Sequence, residues 1–96
     1  MKKLPNIHPG EVLLEEFLKP MGISQNRLAR AMGISPRRIN EIVQCQRAVT
    51  ADTALRLARA LGTSEQFWMG LQADYDLEEA RRAVHAELKK IEIIAA

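Results

Sequence analysis

Cysteine and histidine are scarce in this chain of 96 residues: one Cys, Cys45, and two His, His8 and His85. A single thiol excludes an internal disulfide framework, and three candidate ligands at unrelated spacings do not make a zinc site. No apolar run approaches the ~18 residues that span a bilayer. The opening Met1-Lys2-Lys3-Leu4-Pro5-Asn6 lacks the apolar stretch of a secretion signal, so a cytoplasmic location is expected. Strand signals are nearly absent. No segment alternates apolar and polar residues over a useful length, Ile91–Ile94 being the one borderline case. There is no internal repeat and no low-complexity segment. No nucleophile–base pair or metal set is visible, and every carboxylate has a helix-surface explanation. No catalytic residue, metal or cofactor is therefore expected, and the chain does not read as an enzyme.

What is present is globular composition, with 47% hydrophobic and 27% charged residues. The length suits one domain, residues 1–96, with a thin core burying about 60–65% of the unfolded chain's surface. The net charge of +2 is unevenly spread. Residues 1–23 are balanced and residues 63–96 carry a net −3. Residues 24–62 hold seven arginines (Arg27, Arg30, Arg37, Arg38, Arg47, Arg56 and Arg59) against Glu41 and Asp52, an excess of five. Arginine's planar fork suits phosphates and guanine edges, so a basic middle points to a polyanion such as nucleic acid; a solvated helix surface is the plainer reading.

Helix punctuation recurs throughout. His8-Pro9-Gly10-Glu11 places Pro at a first helical position, and Pro20 is expected to stop that helix near Lys19. Val12, Leu13, Leu14, Phe17 and Leu18 make its apolar face. Ser24 reads as the next N-cap, with Ile23 and Leu28 as a hydrophobic staple and Gly33 as the left-handed stop. Ser35 caps a third helix, with Pro36 first in it and Ile39, Ile42 and Val43 facing inward. Thr50 caps a fourth, with Ala54, Leu55, Ala58 and Leu61 inside and Gly62 at its end. Ser64 caps a fifth, whose Phe67, Trp68 and Leu71 are expected to close the core. Asp76-Leu77-Glu78-Glu79 is a capping box that starts a sixth, or continues a bent fifth. The fold class is all-α, with five to six helices.

Helices two and three are joined across Met32-Gly33-Ile34-Ser35, too few residues for antiparallel neighbours. A positive φ at Gly33 turns the chain sharply, and helix–turn–helix geometry follows. Ala29 is small where the helices cross, and Ile34, Ile39 and Ile42 wedge the angle. The second of the two helices, about residues 35–44, enters the major groove in such motifs. Ser35, Arg37, Arg38, Asn40 and Glu41 are the candidate base-reading residues. Arg37 and Arg38 can chelate guanine O6 and N7, and Asn40 can pair with adenine. Glu41 can accept from cytosine N4 or simply hold an arginine in place. Gln25, Arg27, Arg30, Gln44, Gln46 and Arg47 are placed for phosphate, while Arg56 and Arg59 read as solvated.

The stretch 8–62 resembles the Cro/cI-like (XRE) helix–turn–helix domains, which implies a lambda-repressor-like DNA-binding fold. Those domains often carry Gly just after the recognition helix, where this chain has Cys45, so a different cap is expected there. Two further motifs, His8-Pro9-Gly10-Glu11 and Phe67-Trp68-x-x-Leu71-Gln72-x-x-Tyr75-Asp76-Leu77, make residues 7–80 similar to the HigA (VapI-related) antitoxins. That resemblance implies a repressor of its own operon, binding double-stranded operator DNA. It also implies a protein partner, a HigB-type toxin that is a RelE-like ribosome-dependent mRNA endonuclease.

Residues 63–96 form a C-terminal helical segment. Leu77, Ala80, Val84, Leu88 and Ile91 repeat at heptad-like spacing, the pattern of a dimer interface, and a homodimer is expected. His85 reads as a plain surface or interface residue. The tail Ile91-Glu92-Ile93-Ile94-Ala95-Ala96 is too apolar for a free end; packing in the dimer and pairing with a partner strand both fit it. The alternative is a stand-alone phage-type transcriptional regulator, which a solitary gene without a ribonuclease-like neighbour would favour. A pure protein-interaction module is the third reading, and a salt titration on mixed-sequence DNA separates it.

Overall fold

A computed structural model describes residues 5–95; Met1–Leu4 of the opening read above, and Ala96, lie outside the described residues. Five helices account for the regular structure, and no strand forms among the described residues. Helix α1 starts at Pro9–Val12, widens into a π-helical stretch Leu13–Leu18 and closes with a turn at Lys19–Met21. Then come α2 (Gln25–Met32), α3 (Pro36–Val43), α4 (Ala51–Leu61) and α5 (Glu65–Leu88).

Side-chain caps fix where four of these helices begin. The hydroxyls of Ser24, Ser35, Thr50 and Ser64 accept the backbone N–H groups of Arg27, Arg38, Thr53 and Phe67 at 3.0, 3.3, 3.4 and 3.0 Å. Each bond satisfies one of the unpaired donors at a helix start. The first helix uses a less usual group: His8 Nδ1 accepts the Gly10 N–H at 2.9 Å. Gly33 and Gly62, with φ of 70° and 72°, end α2 and α4 in the left-handed conformation expected of them.

Pro20 does not stop the first helix. The π-helical turn places hydrogen bonds five residues apart, with the Lys19 N–H on the Leu14 carbonyl. The wider turn relieves the clash that proline makes with the preceding turn, and the helix runs on to Gly22. Of the two readings at Asp76, the bent continuation of the fifth helix is the one that forms. Asp76 lies inside α5, where Oδ1 accepts from Gln72 Nε2 at 2.9 Å. The helix bends later, at Val84, whose φ of −114° and ψ of 18° are not helical.

The core gathers Leu13 and Leu18 of α1, Leu28, Ala29 and Met32 of α2, Ile39 and Ile42 of α3, Val49, Ala54 and Leu57, and Trp68. Trp68 is fully buried, and its indole N–H donates to Thr63 Oγ1 at 2.7 Å. Phe67 belongs to the rim instead: it is 40% exposed, edge-on to Trp68 and to Phe17. Leu55 is likewise outside, because Ala54, Leu57, Ala58 and Leu61 follow the i, i+3, i+4, i+7 stripe and Leu55 falls off it. Alpha-one meets the end of α3 at very close range. A Cβ on Gly10 would overlap the Ile42 carbonyl, so only glycine fits there.

His8 is buried, edge-on to the Tyr75 ring at 4.8 Å, with Asp76 and Glu11 nearby. Burial lowers its pKa below the usual histidine value, and the two carboxylates only partly oppose that. The neutral form is also the one that caps Gly10. A histidine with a lowered folded pKa contributes stability that is complete above the free value of about 6.5 and lost as pH falls through the folded value. Thermal melts between about pH 7.5 and about pH 5.5 should show the midpoint falling with pH. In His8→Asn, whose amide oxygen still accepts from Gly10, that dependence should vanish; an unchanged slope would show that His8 does not set it.

Candidate nucleic-acid interface

Helices α2 and α3 are joined by Gly33, Ile34 and Ser35 alone, and the sharp turn is closed by the Ile34 N–H on the Ala29 carbonyl at 3.0 Å. Ile39 and Ile42, both fully buried, fix which side of α3 faces outward. The outward stripe carries Arg37, Asn40 and Gln44, with Glu41 beside them. Among the residues expected to read bases, the Arg37 side chain is 86% exposed. Asn40 is also exposed, and its Nδ2 donates to Gln25 Oε1 at 3.3 Å, tying the start of α2 to the middle of α3. The Ser35 hydroxyl is engaged as the helix cap.

Arg38 departs from expectation. Its guanidinium turns back onto α4, donating to Asp52 Oδ2 at 2.7 Å and Thr53 Oγ1 at 2.6 Å, and the side chain is only 25% exposed. One residue before the buried Ile39, it follows the flank of α3 towards α4 rather than the outward stripe. Arg56 departs too, since it is not merely solvated. Its Nε donates to Asp52, and its Nη1 donates to the Met32 carbonyl at 2.7 Å, closing the C-terminus of α2. Asp52 thus holds an arginine from α3 and one from α4. Those arginine bonds, Arg38's first, keep its carboxyl below the usual carboxylate range.

Glu41 makes a second two-arginine cluster on the outer side. Its Oε1 accepts from Arg47 Nε at 2.9 Å and Nη2 at 2.8 Å, and its Oε2 from Arg37 Nε at 3.3 Å. The bond from Arg47 is the main cause of its lowered pKa, with Arg37 adding to it. Among the expected phosphate contacts, Arg47 is therefore engaged within the protein. Arg27, Arg30, Gln44 and Gln46 are exposed, with Arg27 and Arg30 on the outer side of α2. Sequence reasoning missed Asp52, Thr53 and Gln72. The i, i+4 spacing of Asp52 and Arg56 was a usable signal; Gln72 stood in the Phe67–Leu77 motif with no role assigned, and its buried Oε1 accepts the Val49 N–H at 2.7 Å. That bond fastens the segment after α3 to α5. Among the described residues no group of three or more His, Cys, Asp or Glu could hold a metal ion.

The helix–turn–helix family model matches residues 14–68. Virulence-associated protein I of Dichelobacter nodosus is 56% identical over 80 residues, covering 83% of this chain and 74% of that protein. Antitoxin HigA-1 of Vibrio cholerae serotype O1 is 39% identical over 80 residues, covering 83% and 75%. The chain belongs to the helix–turn–helix family, among the HigA-type antitoxins. Antitoxin HigA of Pseudomonas aeruginosa, solved with the higBA promoter, superposes with a TM-score of 0.90 at 44% identity, over 95% of this chain and all of that one. The family is one of DNA-binding regulators, not of enzymes.

Cys45, at the end of α3, departs from the glycine these domains often use, yet it adopts the glycine conformation with φ of 63°. The cap is complete: the Cys45 N–H donates to the Ile42 carbonyl at 3.0 Å and the Gln46 N–H to the Glu41 carbonyl at 2.8 Å. Desolvation and the nearby Glu11 carboxylate push the thiol's pKa up, away from the reactive thiolate. A left-handed non-glycine residue costs roughly 1–2 kcal/mol, partly offset by glycine's greater unfolded-state freedom of roughly 0.5–1 kcal/mol. Cys45→Gly should therefore raise stability by about 0.5–1 kcal/mol in a urea titration, and β-branched Cys45→Val should lower it. A glycine variant less stable than wild type would mean that the thiol's own contacts outweigh the backbone strain.

Proposed function

We propose that this chain is an antitoxin that binds its own operator DNA as a dimer, represses its toxin–antitoxin operon and neutralises a HigB-type toxin, a RelE-like mRNA endonuclease. The observation that carries the reading is the exposed Arg37–Asn40–Gln44 stripe on a rigidly seated α3, in a chain so similar to an antitoxin solved with its promoter. Residues 8–62 are the DNA-reading unit, and α3 lies in the major groove. Arg37 reads guanine and Asn40 reads adenine, with Ser35 and Glu41 alongside. Gln25, Arg27, Arg30, Gln44 and Gln46 face phosphates. Arg38 acts as a positioning residue behind α3. No helix among the described residues is long and apolar enough to cross a membrane; binding to the operon places the protein in the cytoplasm.

The dimer forms along α5, within residues 63–96. Leu77, Ala80, Val84 and Leu88 are exposed on it, at 52% for Leu77 and 47% for Leu88, so the chain itself leaves the seam uncovered. The bend at Val84 interrupts the heptad path, and Ile91 lies beyond the helix, so it joins only as part of the tail. Leu77→Glu with Leu88→Glu should fold normally and sediment as a monomer; a dimer in that variant would place the interface elsewhere.

The decisive experiment separates the two activities. Co-expression with the adjacent gene's product should relieve growth arrest, and the purified chain should shift the DNA upstream of its own gene. Arg37→Ala with Asn40→Ala should abolish that shift and keep toxin inhibition. DNA binding with no toxin to neutralise would leave a stand-alone transcriptional regulator; loss of both activities in the folded variant would mean one shared surface.

A further inference from the structure

The Glu41 cluster has an asymmetry that bears on specificity. Glu41 meets Arg37 through Nε alone, at 3.3 Å, so both terminal nitrogens of a side chain that is 86% exposed point onward. It meets Arg47 through Nε and Nη2 together, at 2.9 and 2.8 Å, which occupies one whole edge of that guanidinium. The Glu41 carbonyl also accepts the Gln46 N–H at 2.8 Å, so the backbone leading into Arg47 is held by the same residue. Two arginines and one carboxylate present a single net positive charge.

We infer that Glu41 is a specificity-determining residue: it aims Arg37 at base edges and withholds Arg47 from phosphates, so that binding driven by charge alone is suppressed. The inference rests on the DNA-binding reading above. Non-specific complexes use phosphate contacts, which carry no sequence information. A phosphate approaching Arg47 finds one edge of the guanidinium taken and a carboxylate beside it that offsets the arginine's charge and repels the phosphate. In the groove the balance differs. A guanine edge needs only the two terminal nitrogens of Arg37, which remain available while Nε stays on Glu41. Glu41 therefore penalises the phosphate-only mode more than the base-reading mode. Asp52 provides the contrast within the same segment, since its two arginines brace helices instead of facing outward.

The test is a binding titration of the full chain on DNA from immediately upstream of its own gene and on a scrambled duplex of equal length and composition. Glu41→Gln keeps the shape and an accepting oxygen but removes the charge. One phosphate contact regained steepens the salt slope on scrambled DNA by about 0.9, equivalent to roughly tenfold tighter binding at ~50 mM salt. Binding to the upstream DNA should rise less or fall, so the ratio of the two affinities drops. Arg47→Ala should change scrambled-DNA affinity less than twofold in the wild-type background and remove the whole gain in the Glu41→Gln background. An unchanged or larger ratio in Glu41→Gln would overturn the inference. So would a large loss from Arg47→Ala alone, an arm that needs no Glu41 variant. Failure of the wild-type chain to distinguish the two DNAs would instead overturn the DNA-binding reading itself.

Discussion

The recognition helix is eight residues long, too short to hold its own shape in water, and the rest of the molecule supplies what it lacks. Its two isoleucines, Ile39 and Ile42, are wholly buried and set its rotation about its own axis. Arg38 fastens its start to Asp52 and Thr53 of α4. Its end lies so close to α1 that Gly10 can carry no side chain against the Ile42 carbonyl. The segment that follows is pinned by the Val49 N–H on the buried Gln72 of α5. Three different elements, α1, α4 and α5, thus orient α3 before any DNA arrives. A surface ordered in advance loses little conformational entropy on binding.

The same frame explains why an arginine-rich segment need not be indiscriminate. Its two acids hold different arginines and do different work. Asp52 serves the fold, because the arginines it holds reach helix ends and buried hydroxyls. Glu41 serves the surface, because the arginines it holds point towards solvent. Exposed ion pairs of this kind add little to stability, so the consequence of Glu41 is electrostatic rather than structural. Arg27 and Arg30 are exposed on the outer side of α2.

The fold was legible wherever its causes are local. The cap residues Ser24, Ser35, Thr50 and Ser64, and the stops at Gly33 and Gly62, act within four residues of themselves, and each stands where the sequence places it. Pro20 misled because the π-helical turn that accommodates it is set by packing, not by proline. Asp76 left two readings open, because a capping box and a mid-helix Gln72–Asp76 pair look alike in sequence; the bent continuation of the helix is the one that forms. At the candidate site, Arg37 and Asn40 were legible from helical phase. Arg38 was not, since its partner lies fourteen residues away across a helix crossing. The Phe67–Leu77 motif carries a family resemblance, and the structure gives it a physical reason. Trp68 fills the core, Gln72 holds Val49, and Tyr75 covers His8 and accepts from Asn6 through its carbonyl.

Methylation interference on the DNA upstream of the gene tests the central claim, that α3 reads base edges in the major groove, most directly. Methyl groups on guanine N7 project into the major groove, and those on adenine N3 into the minor groove. If α3 of each protomer lies in the major groove, guanine N7 methylation should block binding at two symmetric clusters whose centres are about ten base pairs apart. Interference confined to adenine N3, or absent at every guanine, would contradict it.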